Sequence, residues 1–247
     1  MKNRNIILLI CILVIVIGVV GIFVALELKN KDKDSEKENS EVKEVELKVN
    51  DSLVLEADKI LGHEFCGGYV VPFGEGNFDL SDLDEDTKLD MVYFNYMPTD
   101  SDTKTTYTVK NVEKYFEDTS FLGKDGMHPA GVGNIFKNGD NITESVYPTG
   151  CTGAYEGLNL KIIKALKKEN ELELTYIIFY QEYDYDKDQL IYYKVDNNDK
   201  ALYDNVVIDD KGNITTKLDY ALFNKYVVTF DIKNDNLRFV KAVFQEV

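Results

Sequence analysis

The chain has 247 residues, 44% of them hydrophobic, which is enough for one large domain or two small ones around a buried core. It contains 28 Lys and Arg against 44 Asp and Glu, a formal net charge of −16 at pH 7. A surface with this excess of carboxylates repels nucleic acids and anionic envelope polymers, so we expect no nucleic-acid partner.

The first long feature is an apolar run. Residues 6–26, IILLICILVIVIGVVGIFVAL, contain no charged side chain. As an α-helix they would be roughly 32 Å long, which is sufficient to cross the hydrocarbon layer of a bilayer. A cleavable signal peptide has a shorter run of roughly 7–15 apolar residues and an A-x-A pattern, which is absent here. Cys11 also lacks the small preceding residues of a lipobox. The run is therefore predicted to be an uncleaved transmembrane anchor in the lipid bilayer.

The orientation of this anchor follows from two opposing considerations. Lys2 and Arg4 precede it, whereas four lysines follow within residues 29–37. Counted alone, these charges would hold the large domain in the cytoplasm. Long domains, however, translocate largely independently of flanking charge, and an N-terminal hydrophobic helix is the usual export signal. We therefore expect residues 1–5 to be cytoplasmic and the C-terminal domain of this single-pass protein to lie outside a bacterial cell membrane.

Residues 27–48 are predicted to be a charged tether. The stretch 29–48, KNKDKDSEKENSEVKEVELK, has charges of both signs and no aromatic residue. It cannot bury enough apolar surface to offset the conformational entropy that folding would remove. The alternative is a short helix near its end, where Val42, Val45 and Val49 recur every three to four residues.

The next part of the chain mixes helical and extended patterns. Residues 49–61 are predicted to form a helix capped by one of Asn50, Asp51 or Ser52. MVYFNYM, residues 91–97, is typical of a buried strand. A second helix is predicted within 106–123, with Thr108 as its cap and Gly123 just beyond its end. The glycine-containing segment 122–157 has no clear period and is predicted to be rich in loops.

From residue 158 onward the sequence predicts successive β-hairpins. Two alternating runs flank Lys168–Asn170, a third strand covers 189–195, and turns are expected at 210–213 and 233–236. A short helix is predicted at 218–225. Together these patterns indicate an α+β domain, residues 49–247, with a mainly antiparallel sheet and two or three short helices. A division into two domains near residue 157 is the alternative.

Three parts of the chain carry motifs that occur together elsewhere. They are the cysteine sequences CGGY (66–69) and GCTGAY (150–155), the segment VKNVEKYFEDTSFLG (109–123), and the hairpin KYVVTFDIKNDNLRFVKAVFQEV (225–247). With these motifs, most of residues 45–247 resembles a family of uncharacterised, N-terminally membrane-anchored extracytoplasmic proteins of low-GC Gram-positive bacteria. The resemblance implies an anchored protein of the cell envelope and carries no activity or functional residue over to this chain.

Two cysteines, Cys66 and Cys151, follow the predicted anchor, each beside glycines. In an exported domain two such thiols are most simply partners in a disulfide. This bond would link positions 85 residues apart. Loop entropy would then stabilise the fold by about 4–5 kcal/mol. Two unpaired buried thiols are the alternative.

The two histidines allow two sharper hypotheses. In the first, Cys151 is a nucleophile and His128 its general base, as in thiol peptidases and transpeptidases of bacterial surfaces. In the second, His63, Cys66, His128 and Cys151 bind zinc, because two imidazoles and two thiolates form an acceptable tetrahedral set. The sequence favours neither hypothesis. His128 precedes Pro129 in a glycine-rich stretch that is more typical of a turn than of a positioned base, and His128 and Cys151 are 23 residues apart rather than paired as in a zinc knuckle.

Other motifs are incomplete. DLDED, residues 82–86, starts like a calcium loop, but Thr87 replaces the required glycine. Gly74-Glu75-Gly76 lacks the third glycine of a phosphate-binding loop. We therefore expect a non-catalytic binding or structural module of the bacterial cell envelope, without metal or cofactor, whose partner is an unknown protein or envelope ligand. The alternative is a thiol-dependent cell-surface peptidase or transpeptidase that uses Cys151 and His128.

Overall fold

The alternating second half of the chain folds into long antiparallel strands, as its pattern predicts. The computed structural model describes residues 44–62, 69–74, 76–96, 105–131, 133–146, 157–187, 189–195, 197–207, 214–234 and 236–247. Glu44–Val247 forms one compact unit. The end of the predicted tether therefore belongs to the domain, because Val45–Leu47 is a strand of its sheet and not a tether or a short helix. Its architecture is a mainly antiparallel β-sheet domain with few, short helices.

The described residues form twelve strands, numbered in chain order: β1 (Val45–Leu47), β2 (Phe78–Asp79), β3 (Thr106–Thr108), β4 (Gly126–Ala130), β5 (Gly133–Asn138), β6 (Asn141–Val146), β7 (Gly157–Lys168), β8 (Glu171–Asp184), β9 (Gln189–Lys194), β10 (Asn197–Val206), β11 (Asn224–Lys233) and β12 (Asn236–Gln245). They also form three α-helices and two 3-10 turns: α1 (Ser52–Ile60), α2 (Glu85–Tyr96), α3 (Val109–Val112), Ser120–Leu122 and Tyr220–Leu222. In this described part, no helix has the length and apolar character that a membrane crossing requires, and the predicted anchor lies outside it.

The strands are arranged in two antiparallel sheets. The larger sheet has the order β1-β7-β8-β11-β12-β2. Strand β8 is long enough to pair with two neighbours along one edge, first with β11 and then with β9, and β9 in turn pairs with β10. The smaller sheet has the order β3-β6-β5-β4. The predicted hairpins that flank Lys168–Asn170 and Lys233–Asn236 are confirmed.

The core follows from the alternation along β8. Leu172, Leu174, Tyr176 and Ile178 are fully buried, and they belong to the main hydrophobic cluster that α1, α2 and the smaller sheet also line. Ile177 and Phe179, on the opposite face of β8, enter a second, smaller cluster. Its members are Ile177, Phe179, Leu190, Tyr192, Val206, Leu218 and Phe223. Both faces of β8 are therefore covered.

A β-bulge at Val240 shapes the edge of the larger sheet. Phe239 pairs with Phe230 and Lys241 pairs with Thr229, so Val240 has no partner of its own in β11. The extra residue shifts the alternation, so that Phe239 and then Ala242, rather than Lys241, are buried. The Val240 carbonyl is free to accept the Leu80 amide at 3.1 Å, just after β2. The bulge therefore draws the loop after β2 onto this edge.

The prediction of a strand at 91–97 is wrong, because residues 91–96 belong to α2. The Asp84 carboxylate caps the helix by accepting from the Thr87 amide at 2.7 Å, which gives part of DLDED a structural role. The helix is buried on several sides, at Leu89, Met91, Val92, Tyr93, Phe94 and Asn95. A helix covered all round shows no period of 3.6 residues, so its apolar run imitates a strand.

The prediction that 122–157 is rich in loops is also wrong for its described part, which contains β4, β5 and β6. The glycines mark turns between these strands, since Gly131 and Gly139 have φ values of 53° and 58°. Gly133 lies within β5 for a different reason. A Cβ atom there would collide with the Ser145 carbonyl oxygen and the Tyr93 hydroxyl.

The predicted helix starts are confirmed, but two helices are shorter than expected. Asp51 caps α1 by accepting from the Leu53 amide at 3.0 Å, and Thr108 precedes α3. After Val112 the chain forms only turns before the 3-10 turn Ser120–Leu122, and the helix predicted at 218–225 is likewise a 3-10 turn. The turn predicted at 210–213 lies outside the described residues.

Candidate functional site

The cysteine site predicted from the sequence is only partly described. Cys66, Cys151 and His63 lie outside the described residues, so the disulfide, the zinc site and the thiol nucleophile stay predictions. Among the residues that are described, no group of three or more His, Cys, Asp or Glu side chains is arranged to hold a metal ion.

His128, the remaining member of the predicted sites, lies on β4 and is half-buried. Its Nε2 atom is 2.8 Å from the Lys124 carbonyl oxygen. Because a carbonyl oxygen can only accept a hydrogen bond, Nε2 carries the proton in the neutral ring, and Nδ1 is the nitrogen that could act as a base. His128 also lines a shallow pocket of about 360 Å³ with Asp86 and Asp90.

Two adjoining pockets among the described residues form a groove with two lobes. The first, which we call the phenylalanine lobe, has a volume of about 400 Å³. It lies between the loop after β2, the first turn of α2 and the segment 116–121. The buried rings of Phe116 and Phe121 meet edge to face, with centroids 4.9 Å apart, and form its floor with Leu80. Charged side chains surround this floor: Glu85, Lys88, Glu117 and Asp118.

The second lobe, which we call the arginine lobe, has a volume of about 330 Å³ and follows β12 past the bulge. It shares Leu80, Ser81 and Glu117 with the phenylalanine lobe. Phe239 contributes an apolar surface, and charged residues from three strands line the sides: Asp79, Asp231, Arg238 and Lys241. The two lobes thus adjoin along the loop after β2.

Arg238 joins β12 to the segment after α3, whose residues 116–121 form what we call the groove wall. Its Nη1 atom donates to the Glu117 carboxylate at 2.6 Å, and Nη2 donates to the Glu113 carbonyl oxygen at 3.2 Å. The Lys233 ammonium lies 3.6 Å from the same carboxylate of Glu117. Arg238 is the only arginine after Arg4 in the chain, but no local pattern indicates that its partners come from the segment after α3. These contacts fix the position of the segment that carries Phe116 and Asp118.

Two Asp-x-Ser turns border the groove. Asp79 accepts from the Ser81 amide at 2.7 Å and from its hydroxyl at 2.5 Å. Asp118 accepts from the Ser120 amide at 2.8 Å and from its hydroxyl at 3.0 Å. The Ser81 hydroxyl and amide lower the pKa of Asp79, and the Ser120 amide and hydroxyl lower the pKa of Asp118, so both carboxylates remain charged in mild acid. The Asp-x-Ser spacing, which occurs at both places, is visible in the sequence and could have predicted the two turns.

The electrostatic balance of the groove is negative. Five carboxylates line it against three cations, a net charge of −2. One of the cations, Arg238, is engaged by Glu117, whereas Glu85 and Asp231 make no hydrogen bond or ion pair with other described residues. An apolar aromatic floor with an acidic rim suits a cationic group that carries an aliphatic stem.

A buried carboxyl lies in the smaller sheet. Glu144 on β6 is fully buried, and its Oε1 atom accepts a 2.5 Å hydrogen bond from the Tyr107 hydroxyl. Its Oε2 atom is buried without a hydrogen-bond partner among the described residues. Burial raises the pKa of Glu144 to about 8, against the opposing effects of the Tyr107 bond and of Lys59. Nothing in the sequence NITESV, residues 141–146, distinguishes this glutamate from a surface one.

Comparison of the chain with protein-family models, with curated proteins and with solved structures gives no match.

Proposed function

We propose that residues 44–247 form a non-catalytic binding module of the bacterial cell envelope, held at the membrane by residues 6–26. Its binding site is the two-lobed groove, and its ligand is an extended segment of a partner protein with a lysine or arginine side chain. The single observation behind this proposal is the acidic rim around an aromatic floor in the phenylalanine lobe.

The lobe fits a long basic side chain in size and in chemistry. The aliphatic stem of lysine or arginine would lie over Leu80, Phe116 and Phe121, where apolar contact is favourable. The cationic head would lie near Glu85 and Asp118, and the latter carboxylate is held in place by Ser120. A cation near an aromatic ring gains further attraction from the ring face.

The adjoining sheet edge supports an extended ligand. Strand β12 pairs with β2 only at Lys241 and Ala242, and the Leu80 amide takes the Val240 carbonyl. Asn236–Phe239 has no strand partner on this side among the residues that the structure describes. An extended peptide can add to such an edge through main-chain hydrogen bonds while its side chains occupy neighbouring pockets.

The test is the affinity of the full-length chain, in detergent micelles, for a blocked peptide of about six residues, the length of an ordinary strand. Lysine and valine alternate in this peptide, and a matched peptide carries glutamate in place of lysine. We expect the lysine peptide to bind, with an affinity that falls as salt is added, and the glutamate peptide not to bind. Binding of both peptides with similar affinity would contradict the proposal.

Two neighbouring carboxylates provide a matched pair of variants. Glu85 and Asp86 are both exposed and both lie in the first turn of α2, but only Glu85 lines the groove. Glu85→Lys should weaken binding of the lysine peptide about tenfold, because local attraction becomes repulsion. Asp86→Lys changes the net charge equally and should leave the affinity unchanged. An equal loss in both variants would mean that only the overall charge attracts the peptide.

A further inference from the structure

The contact between Glu144 and Tyr107 occupies a structurally important position. Tyr107 is the middle residue of β3, which pairs with β6 and runs directly into α3. The chain after α3 supplies the Glu113 carbonyl and the Glu117 carboxylate that bind Arg238. The hydroxyl of Tyr107 therefore ties the base of the groove wall to a carboxyl on the neighbouring strand.

Packing around this contact excludes water. Tyr107 is 7% exposed and its ring stacks on Tyr96 of α2, with centroids 4.0 Å apart. On the other side the Tyr93 hydroxyl donates to the Ser145 carbonyl at 3.3 Å, and Gly133 leaves room for that hydroxyl. An ionised carboxylate at this position would lose its hydration while Oε2 has no described donor.

The charged groups around Glu144 do not compensate for the hydration that its ionised carboxylate would lose. Lys59 on α1 is the one described cation that acts on it, and it forms no ion pair with it. The phenols of Tyr93, Tyr96 and Tyr107 have raised pKa values, because burial opposes their ionisation, and thus stay neutral. Three further groups act on these phenols: Asp90 on Tyr93, and Glu56 and Tyr115 on Tyr96. His128 lies one strand further away, since it pairs with Ile135, the partner of Glu144 in β5.

We propose that the buried carboxyl of Glu144, at its contact with Tyr107, is a proton-dependent latch on the groove wall. With the carboxyl protonated, no buried charge opposes the packing of Tyr107 against β6, and α3 keeps its described position. When the carboxyl releases its proton to solvent, the buried charge is relieved by separation of β3 from β6, and the wall that carries Glu117 loosens. This inference rests on the function proposed for the groove, because it assigns that site a pH-dependent geometry.

The direction of the pH effect follows from the burial of the carboxyl. Since the folded chain raises the pKa of Glu144, closure is fully favoured below the ordinary glutamate value of 4.5 and is lost as the pH rises through about 8. If opening exposes the carboxyl completely, the population of the open wall should increase on the order of 100-fold between about pH 6 and about pH 9.

Amide hydrogen exchange of the full-length chain in detergent micelles tests this without any ligand. At each pH, peptides that cover residues 106–117 are compared between the wild type and Glu144→Gln, so that the chemical dependence of exchange on pH cancels. We expect the wild type to lose protection relative to Glu144→Gln as the pH rises, while residues 225–233 of β11 change equally in both. Parallel changes at 106–117 in the two proteins would overturn the latch.

A second variant keeps the test decisive if Glu144→Gln folds poorly. Tyr107→Phe removes the hydrogen bond but retains the carboxyl and the ring. It should exchange faster than the wild type at every pH and keep the increase with pH, and a loss of that increase would contradict the role of Glu144. Failure of the lysine peptide to bind at any pH would refute the groove function instead, and the exchange measurement would be unaffected by it.

Discussion

Replacing the buried Glu144 by glutamine should remove a pH-dependent part of the free energy of unfolding. Glu144→Gln keeps the shape of the side chain and removes its ability to ionise. Glutamine places an amide where Oε2 lacks a partner, so the variant has a constant cost of about 1–3 kcal/mol that does not depend on pH. The difference in unfolding free energy between the wild type and Glu144→Gln therefore reports on ionisation of the carboxyl through its dependence on pH, and not through its absolute value.

The sign and size of that change follow from linkage. The pKa of Glu144 rises from its ordinary 4.5 to about 8 in the folded chain, so the folded state binds the proton more tightly than the unfolded chain. The stabilisation is complete below the lower value and lost above the higher one. Relative to Glu144→Gln, the wild type should lose about 3 kcal/mol of unfolding free energy between about pH 4 and pH 7, and about 5 kcal/mol by pH 9.

Urea unfolding of the full-length chain in micelles, followed by tyrosine circular dichroism, can measure this, since the chain has 16 tyrosines and no tryptophan. The control is Glu169→Gln, which removes an exposed carboxyl at the turn between β7 and β8. Its difference from the wild type should vary little with pH. If the free-energy difference for Glu144→Gln varied with pH no more than that for Glu169→Gln, ionisation of the Glu144 carboxyl would cost nothing in the folded state. The argument from burial would then be wrong.

Three further predictions concern other parts of the chain. Tyr226→Phe should lower the free energy of urea unfolding by about 1–2 kcal/mol, because the buried phenol accepts from the Gly74 amide at 2.8 Å and donates to the Gly76 carbonyl at 3.0 Å. An unchanged urea midpoint would show that water replaces both bonds. Gly133→Ala should cost about 3 kcal/mol, because its Cβ meets a backbone carbonyl of β6, and wild-type stability would contradict the described packing. If Cys66 and Cys151 form the predicted disulfide, a thiol reagent should label neither until reduction, whereas rapid labelling of Cys151 alone in native protein would favour the thiol nucleophile.

The sheet was the most predictable part of the fold. Leu172 and Leu174 alternate with the half-buried Glu173 and Thr175, and this period of two residues is visible without any tertiary knowledge. The helix α2 was not predictable in the same way, because burial on several sides removed its period. The small sheet was missed because Gly131, Gly133 and Gly139 read as loop signals, although two of them mark turns and one makes room for a neighbouring carbonyl.

The groove was harder to predict because its parts are distant in sequence. Arg238 and Glu117 are separated by more than a hundred positions, and nothing local to either residue indicates their hydrogen bond. The phenylalanine lobe likewise needs the loop after β2 to meet the segment after α3, and the bulge at Val240 helps to place that loop. The burial of Glu144 could not be predicted either, because it depends on packing by α2, which is distant in sequence.

The central claim is that the groove binds a basic extended segment, and photo-crosslinking tests it most directly. A lysine–valine peptide with one benzophenone side chain is irradiated with the full-length chain in micelles, and the attachment sites are identified by mass spectrometry. We expect crosslinks in residues 80–88, 116–121 and 236–241, and their loss when an excess of the unlabelled lysine peptide, but not the glutamate peptide, is added. Crosslinks spread over other surfaces of the domain, or equal competition by the two peptides, would contradict the claim.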